Sequence, residues 1–274
     1  MSPVAVAPTA PEVVAGAKTK SLDFLQLGKS VDFTLGKGTY GKVVPAWDRC
    51  ENRLMALKIQ PYKSDEAFRE LAFFKKIQSQ GRPLHIVEML AFDVEGDKLR
   101  IFLEYMSSTL GEVWKRAQCY LDEDLCERYS RHLLAGLDEL HARDIAHLDV
   151  GLQNCLLDQR NNVLKLSDLG LSVCADDFLR TTCRYCTWPC RPPELCLMWN
   201  SSNAPGVSAC AELNMPPATI DLWAAGCVIF TLYGACHIFR RSGGELHEKQ
   251  DVISKALFLQ HLGVLGEPHA EWPE

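Results

Sequence analysis

The segment LGKGTYGKV, residues 35–43, carries three glycines in the pattern G-x-G-x-x-G-x-V. Because glycine has no Cβ, the backbone N–H groups of such a segment can approach phosphate oxygens closely. Dinucleotide-binding loops share G-x-G-x-x-G but lead into a helix. Here the segment leads into VVPAW, which is typical of a strand, so we predict a glycine turn between two antiparallel strands. A plain hairpin turn without a ligand is the alternative for this segment taken by itself.

A lysine and a glutamate follow the glycine segment on the next two predicted elements. Lys58 lies in RLMALKI, which alternates apolar and polar residues and is predicted as a strand. The helix predicted from SDEAFRELAFFKKIQ, capped by Ser64 or Asp65, contains Glu70. A lysine on a half-buried strand needs an anionic partner, which Glu70 can provide, and its charge suits phosphate oxygens. A solvent-facing lysine is the alternative.

Two further motifs place acidic and amide side chains at fixed offsets. HLDVGLQN, residues 147–154, contains Asp149 and Asn154, and DLG begins at Asp168 after two short predicted strands. Carboxylate and amide oxygens are suitable ligands for Mg²⁺. An upstream HARD, residues 141–144, ends the predicted helix Asp122–His141 and has no asparagine at the required distance, so it is a decoy.

These motifs, in this order, resemble those of the eukaryotic protein kinase domain over about residues 30–274. The resemblance implies ATP and Mg²⁺ as cofactors and transfer of the γ-phosphoryl group to a protein hydroxyl. It implies Asp149, Lys58 and Glu70 as catalytic residues, with Asp149 accepting the hydroxyl proton. Asn154 and Asp168 are the implied metal ligands. The implied ATP-binding residues are Leu35, Gly36, Lys37, Gly38, Gly41, Val43, Ala56, Lys58, Glu104, Met106 and Leu156, with Leu103 as gatekeeper.

Several segments are similar to the cyclin-dependent kinases, within the group that also holds the mitogen-activated kinases. They are AFRELAFFK at 67–75, TWPCRPPE at 187–194, DLWAAGC at 221–227 and LGVLGEPHAEWPE at the end. The resemblance implies serine/threonine specificity, a protein substrate and a cyclin-like regulatory subunit. Kinase domains of this type continue with further helices, one of which pairs an arginine with the glutamate at Glu194. The chain is therefore expected to be incomplete at its C-terminus.

The catalytic loop departs from the kinase pattern at two positions. Leu148 replaces an arginine that helps to receive an activation-loop phosphate, and Gly151 replaces a lysine that neutralises the transferring phosphoryl group. Losing one such cation is expected to lower the rate on the order of 10²-fold. A pseudokinase, which binds nucleotide with weak or no transfer, is the alternative reading.

The same departure extends to the expected phosphorylation switch. Thr182 falls where the cyclin-dependent kinases carry their activating phosphothreonine. Of three arginines that would bind that phosphate, Arg69 remains, whereas Leu148 and Val173 occupy the other two places. We expect phosphorylation of Thr182 to be a weak switch.

The order of predicted elements, strands first and helices later, favours an α+β fold of two unequal lobes. We assign residues 1–25 to a disordered tail, 26–104 to a small β-rich N-terminal lobe and 105–274 to a larger helical C-terminal lobe. The net charge of −6, without a basic stripe, argues against a nucleic-acid partner. No apolar run is long enough to cross a membrane.

The cysteines and the N-terminus indicate the compartment. Without a recognisable signal peptide, the twelve cysteines are expected to be reduced thiols in the cytoplasm or nucleus. Cys155, Cys227 and Cys236 are predicted as small core residues. Cys183, Cys186 and Cys190 form C-x2-C-x3-C, but no fourth ligand lies at a matching spacing, so unpaired loop thiols are favoured over a metal site.

Overall fold

The computed structural model describes residues 22–24, 34–38, 41–48, 50–174, 190–193, 195 and 216–234. Its first part is an antiparallel sheet in the order β1-β3-β4-β6-β5, with β2 paired to β3. The strands are β1 Leu22–Phe24, β2 Gly36–Gly38, β3 Gly41–Asp48, β4 Arg53–Pro61, β5 Met89–Glu95 and β6 Lys98–Glu104. Their short connections explain the antiparallel pairing of β3 with β4 and of β5 with β6, since neighbouring strands joined by tight turns run in opposite directions.

One helix, α1 (Asp65–Ser79), packs beside this sheet. The side chain of Ser64 accepts a hydrogen bond from the backbone N–H of Ala67, so Ser64 is the N-cap, as one of the two predicted alternatives had it. Phe74 and Ile77 lie on the buried face of the helix, as their helical spacing indicates. Glu70 lies on the same buried face, at 1% exposure, and thus turns a carboxylate toward the sheet.

The second part is mainly helical. It contains α2 Leu110–Arg116, α3 Glu123–His141, a 3₁₀ helix Leu169–Leu171 and α4 Ala218–Gly234. Short strands lie between them: β7 Ser108–Thr109, β8 Ile145–Ala146, β9 Cys155–Asp158, β10 Val163–Leu166 and β11 Val173–Cys174. The predicted pairing of NCLLD with VLKLSD is confirmed, because β9 and β10 form an antiparallel pair.

The two parts meet along the segment between α1 and β5. Ile86 forms a parallel bridge with Leu166 of β10, and the N–H of Val87 donates to the Leu166 carbonyl at 2.8 Å. A single apolar cluster runs from Leu71 of α1 to Leu137 of α3. The β-rich part and the helical part confirm the predicted α+β kinase-like fold. Their shared core holds β4, which contains Lys58, in a fixed position relative to Asp168, which follows β10.

Some elements differ from the sequence-based expectation. Residues Leu22–Phe24 fall inside the segment 1–25 that was assigned to a tail, yet they pair with β3 in the register Leu22↔Asp48. The β5 strand, α2 and the two-residue strands were not predicted. Such short segments are stabilised by backbone pairing with a distant strand, which the local periodicity of the sequence cannot predict. No helix in the described ranges is both long and apolar enough to cross a membrane.

Candidate nucleotide and phosphotransfer site

The glycine segment forms the predicted hairpin. Gly36 of β2 pairs with Val43 of β3, and Gly38 pairs with Gly41, in an antiparallel register. Gly41 has a packing reason to be glycine, because a Cβ there would lie 2.4 Å from the carbonyl oxygen of Ile59 on β4. A backbone oxygen cannot move aside as a flexible side chain can, so Gly41 lets β3 and β4 approach closely.

Lys58 lies between two carboxylates. Its Nζ donates to Glu70 Oε1 at 2.7 Å and to Asp168 Oδ1 at 2.8 Å. Burial alone would lower the pKa of Lys58, but attraction to Glu70 and Asp168 outweighs it, so the pKa of the ammonium is raised. Lys58 therefore stays charged at neutral pH, and the predicted pairing with Glu70 is confirmed.

Asp168 is held in an unusual backbone conformation. Its φ of 63° and ψ of 80° lie in the left-handed region, and its Oδ1 accepts from the N–H of Gly170. Burial on its own raises the pKa of the carboxyl, but the charge of Lys58 and its hydrogen bond lower it below its usual value. The side chain is 42% exposed, so the ionised carboxylate is accessible to solvent.

The catalytic-loop pair Asp149 and Asn154 is joined directly. Asn154 Nδ2 donates to both the carbonyl and the Oδ2 of Asp149, at 2.7 and 2.8 Å. Asp149 is half-buried, and its N–H donates to His147 Nδ1 at 3.2 Å. The Asn154 carbonyl accepts from the N–H of Ser167, which precedes Asp168. These contacts bring Asp149, Asn154 and Asp168 into one site.

Asp221 at the start of α4 fixes the backbone of this loop from below. Its two carboxylate oxygens accept from the N–H groups of His147 at 2.8 Å and Leu148 at 2.7 Å. The ring of His141 also contacts Asp221, at 2.8 Å. Neither residue was predicted to have this role from the sequence, where Asp221 belongs to the DLWAAGC segment and His141 to the decoy HARD. Because Asp221 is fully buried, these bonds are strong determinants of loop position.

The apolar residues predicted to bind ATP come from both parts of the molecule. Val43, Ala56 and Leu156 belong to the same apolar cluster as Leu103 and Met106. Leu35 also lies at this edge of the sheet, 39% exposed, and its N–H donates to the Val43 carbonyl. Lys37 and Gly38 belong to β2, but the side chain of Lys37 lies outside the part of the chain that the structure describes. The cluster offers an apolar surface of the kind that aromatic ligands occupy.

Glu104 contributes a contact that sequence reasoning missed. Its N–H donates to the Glu88 carbonyl at 3.0 Å, so of its two backbone groups only the carbonyl can serve a nucleotide. Its carboxylate accepts from Lys165 Nζ at 2.6 Å. This ion pair ties the end of β6 to β10 across the junction. A partial signal existed in the alternation of VLKLSD, which leaves Lys165 on a half-exposed face.

The two departures from the kinase pattern differ in their surroundings. Leu148 is fully buried, with a φ of 61°, and Val173 is buried at 2% exposure. Arg69 is half-buried, whereas Thr182 and Glu194 lie outside the described residues. Gly151 is half-buried, has no atom within 4 Å of where a Cβ would stand and does not have a positive φ. The place of the missing lysine is therefore open.

The described cysteines are free thiols. Cys155 and Cys227 are buried in the apolar cluster, as predicted, and burial raises the pKa of Cys155 to about 12. Cys190 is buried as well, while Cys183, Cys186 and Cys236 lie outside the described residues. Across the ranges that the structure describes, no three His, Cys, Asp or Glu side chains converge as a metal site.

The sheet with one helix, the helical part behind it and the Lys58 ion pairs are those of a protein-kinase-type domain. Residues 30–273 match the family described as "Protein kinase domain". The chain therefore belongs to the protein kinase family.

Relatives with cyclin-dependent and related names confirm the predicted resemblance. The chain is 31% identical over 205 residues to "Cyclin-dependent kinase 1" of Encephalitozoon cuniculi, covering 71% of this chain and 63% of that protein. It is 28% identical over 223 residues to "CTD kinase subunit alpha" of Saccharomyces cerevisiae, covering 80% and 39%. The protein of the same name from Schizosaccharomyces pombe is 27% identical over 248 residues, covering 88% and 37%. The chain thus spans less than two thirds of the length of these relatives.

Proposed function

We propose that this protein is a serine/threonine protein kinase that transfers the γ-phosphoryl group of ATP to a protein hydroxyl. The observation that carries the proposal is the continuous link Glu70–Lys58–Asp168, with both Nζ contacts under 3 Å. Phosphoryl transfer depends mainly on positioned charge, and the strand lysine with its helix glutamate is a part that kinases must have in place.

Asp149 is suited to the proton-handling role. Its carboxylate is half-exposed toward the site, and Asn154 fixes one of its oxygens. A carboxylate held in this way is suited to orient an incoming hydroxyl and to accept its proton. His147 is held in turn, because its Nε2 contacts the Ser167 carbonyl at 2.9 Å and its Nδ1 meets the Asp149 N–H. The base is thus supported by backbone and ring contacts that do not depend on substrate.

The donor set near Asp168 fits Mg²⁺. Asn154 uses its amide nitrogen toward Asp149, which leaves the amide oxygen available, and Asp168 offers an ionised carboxylate. Mg²⁺ is usually held by one or two protein oxygens together with substrate phosphates, so two protein ligands are sufficient. When bound, the ion would neutralise charge on the phosphates. Lys58 would supply a second, fixed positive charge there.

The apolar cluster at the junction supports ATP as the nucleotide. Val43 and Ala56 lie on neighbouring strands of the sheet, and Leu156 lies on β9 of the helical part, so a flat base between them would contact both parts. The glycine hairpin of β2 and β3 is adjacent to Val43. A nucleotide whose base contacts Val43 would therefore have its phosphates near the glycines. We assign ATP binding to the residues that the family resemblance implies, with Lys58 as the phosphate contact.

A transfer assay with radiolabelled Mg-ATP and a mixed serine/threonine peptide library tests this function. We expect incorporation by the native chain and a loss of at least about 10³-fold in Asp149→Asn, since that substitution removes the proton acceptor. The folding control is the thermal midpoint, which should change little because an amide fits the same space. Nucleotide-dependent stabilisation without any transfer would reject the enzyme and indicate a pseudokinase.

The proposed kinase function also suggests a regulatory partner and a cellular compartment. A cyclin-like subunit would act by pressing on α1, because α1 carries Glu70. The supporting observation is the similarity to cyclin-dependent relatives together with the helix segment 67–75. The free thiols among the described cysteines support a cytoplasmic or nuclear protein. Copurification of a tagged chain with its cellular partners would test the first point.

A further inference from the structure

Gln60 is a buried polar residue to which the family resemblance assigns no role. It lies two residues after Lys58 on β4, and strand alternation places both side chains on the face that meets α1. Gln60 is only 2% exposed and sits opposite Leu99 of β6. A buried amide is costly unless it is hydrogen-bonded, so its partner is informative.

That partner is the glutamate of the proposed site. Gln60 Nε2 donates to Glu70 Oε2 at 2.9 Å, while Lys58 Nζ donates to the other oxygen, Oε1, at 2.7 Å. Both oxygens of one carboxylate are therefore held from the same strand. A carboxylate with one partner can turn about its terminal bond, whereas one with two partners is fixed in a single orientation.

The chemistry of the second donor matters. A glutamine is neutral, so it orients Glu70 without cancelling the charge that keeps Lys58 in place. A second cation at this position would compete with Lys58 for the carboxylate. The orientation of Glu70 also affects the ion pair between Lys58 and Asp168. The Nζ atom of Lys58 contacts both carboxylates at once, so a change at Glu70 would change the contact with Asp168.

We propose that Gln60 is a positioning residue, which holds Glu70 and thereby α1 in the arrangement that presents Lys58 to the phosphates. This inference rests on the proposed kinase function and adds to it how α1 is kept in place. The chain supplies this contact itself, from β4, without a partner subunit. The alternative is that Gln60 only fills space beneath α1.

Gln60→Met tests the contact by removing the donor while keeping an unbranched side chain of similar length. We expect kcat/KM for Mg-ATP to fall about tenfold to a hundredfold, the range for losing a hydrogen bond to a charged group. Gln159→Met is the matched control, because Gln159 donates to Ser108 Oγ at 2.8 Å outside the site. The control should retain native kcat/KM. Native kcat/KM in Gln60→Met would overturn the proposal.

Gln60→Glu provides a readout that packing alone would not move. The introduced carboxyl would face Glu70. The other charged or titratable groups nearby are Lys58 on the same strand, Asp168, which contacts Lys58, and His147, which lies close enough to Asp168 to affect its pKa. Two neighbouring carboxylates hold a shared proton more tightly than one does, and a protonated carboxyl can donate as the amide does. We expect activity relative to the native chain to rise as the pH falls from 8 to 6. A flat ratio across this range would contradict the positioning role.

Two measurements separate this inference from the proposed function. If the native chain transfers no phosphate, the kinase proposal fails, and the thermal shift caused by Mg-ATP then decides the role of Gln60. A shift in the native chain that is lost in Gln60→Met supports the contact, and equal shifts overturn it. Should Gln60→Met fail to fold, the pH ratio of Gln60→Glu decides instead.

Discussion

Gly151→Lys should restore a missing positive charge to the catalytic loop and raise kcat. A Cβ at residue 151 meets no atom within 4 Å, and the backbone has no positive φ, so a lysine enters without steric or conformational cost. Replacing glycine should also restrict the unfolded chain, so stability should be equal or slightly higher. Residue 151 lies two positions beyond Asp149, so we expect a lysine there to reach a phosphoryl group placed at that carboxylate.

The size of the gain follows from the partial burial of residue 151. At an effective dielectric constant of about 20, two unit charges about 6 Å apart interact by about 2.8 kcal/mol. Only part of a charge develops on the transferring group, so about half of this energy, roughly 1.4 kcal/mol, acts on the transition state alone. That corresponds to about a tenfold increase in kcat, which is a partial recovery of the roughly 10²-fold loss expected for the missing lysine. We expect KM for ATP to change less, because bound and reacting states share the remaining attraction.

Steady-state transfer assays with saturating Mg-ATP, at low and high salt, measure this gain. Gly151→Met is the matched control, since it adds a chain of similar length without a charge. The lysine variant should exceed both the native chain and the methionine variant, and the difference should shrink at high salt. Equal kcat values in the two variants would refute the electrostatic argument and show that the loop tolerates Gly151 for another reason.

Two further predictions concern buried groups that support the site. Asp221→Asn should lower the free energy of unfolding by about 3–5 kcal/mol in urea titration, since its amide nitrogen must face a backbone N–H; exposed Asp144→Asn should change it little. The Nδ1 atom of His132 accepts a hydrogen bond from the N–H of Leu164. The pKa of His132 is lowered mainly by burial and, to a smaller extent, by the nearby His85. Its protonation breaks this bond, so stability should fall as the pH drops below about 6.5. In His132→Asn the amide oxygen keeps the bond, and the loss between pH 7 and pH 5 should shrink; an unchanged pH profile would contradict this.

Motifs with fixed local offsets could be predicted from the sequence. The glycine hairpin, the cap at Ser64 and the placement of Asp149 and Asn154 in one loop depend on residues within a few positions of each other. The Lys58–Glu70 pair joins neighbouring elements, so strand alternation and helical periodicity were enough to anticipate it. In each case the chain itself limits where the partner can lie.

Contacts between distant segments could not be predicted in the same way. Asp221 reaches back to Leu148 across 73 positions, and Lys165 reaches Glu104 across 61. Nothing in local periodicity distinguishes these side chains from surface or cap residues. The second contact of Glu70 was also missed, because a glutamine on a strand ordinarily indicates an exposed face rather than a buried donor.

The two departures in the catalytic loop have different physical consequences. At Leu148 the loop is held through the backbone, because the N–H bonds Asp221 and the side chain is fully buried. An arginine there would need an anionic partner to offset its burial, whereas leucine needs none. Loop geometry is thus maintained without a phosphate contact, which agrees with the weak role expected for Thr182. At Gly151, no atom of the described residues lies within 4 Å of where a Cβ would stand, so none of them takes the place of the lost lysine there. We therefore expect the substitution at Leu148 to remove a means of regulation, and the one at Gly151 to lower the rate of phosphoryl transfer.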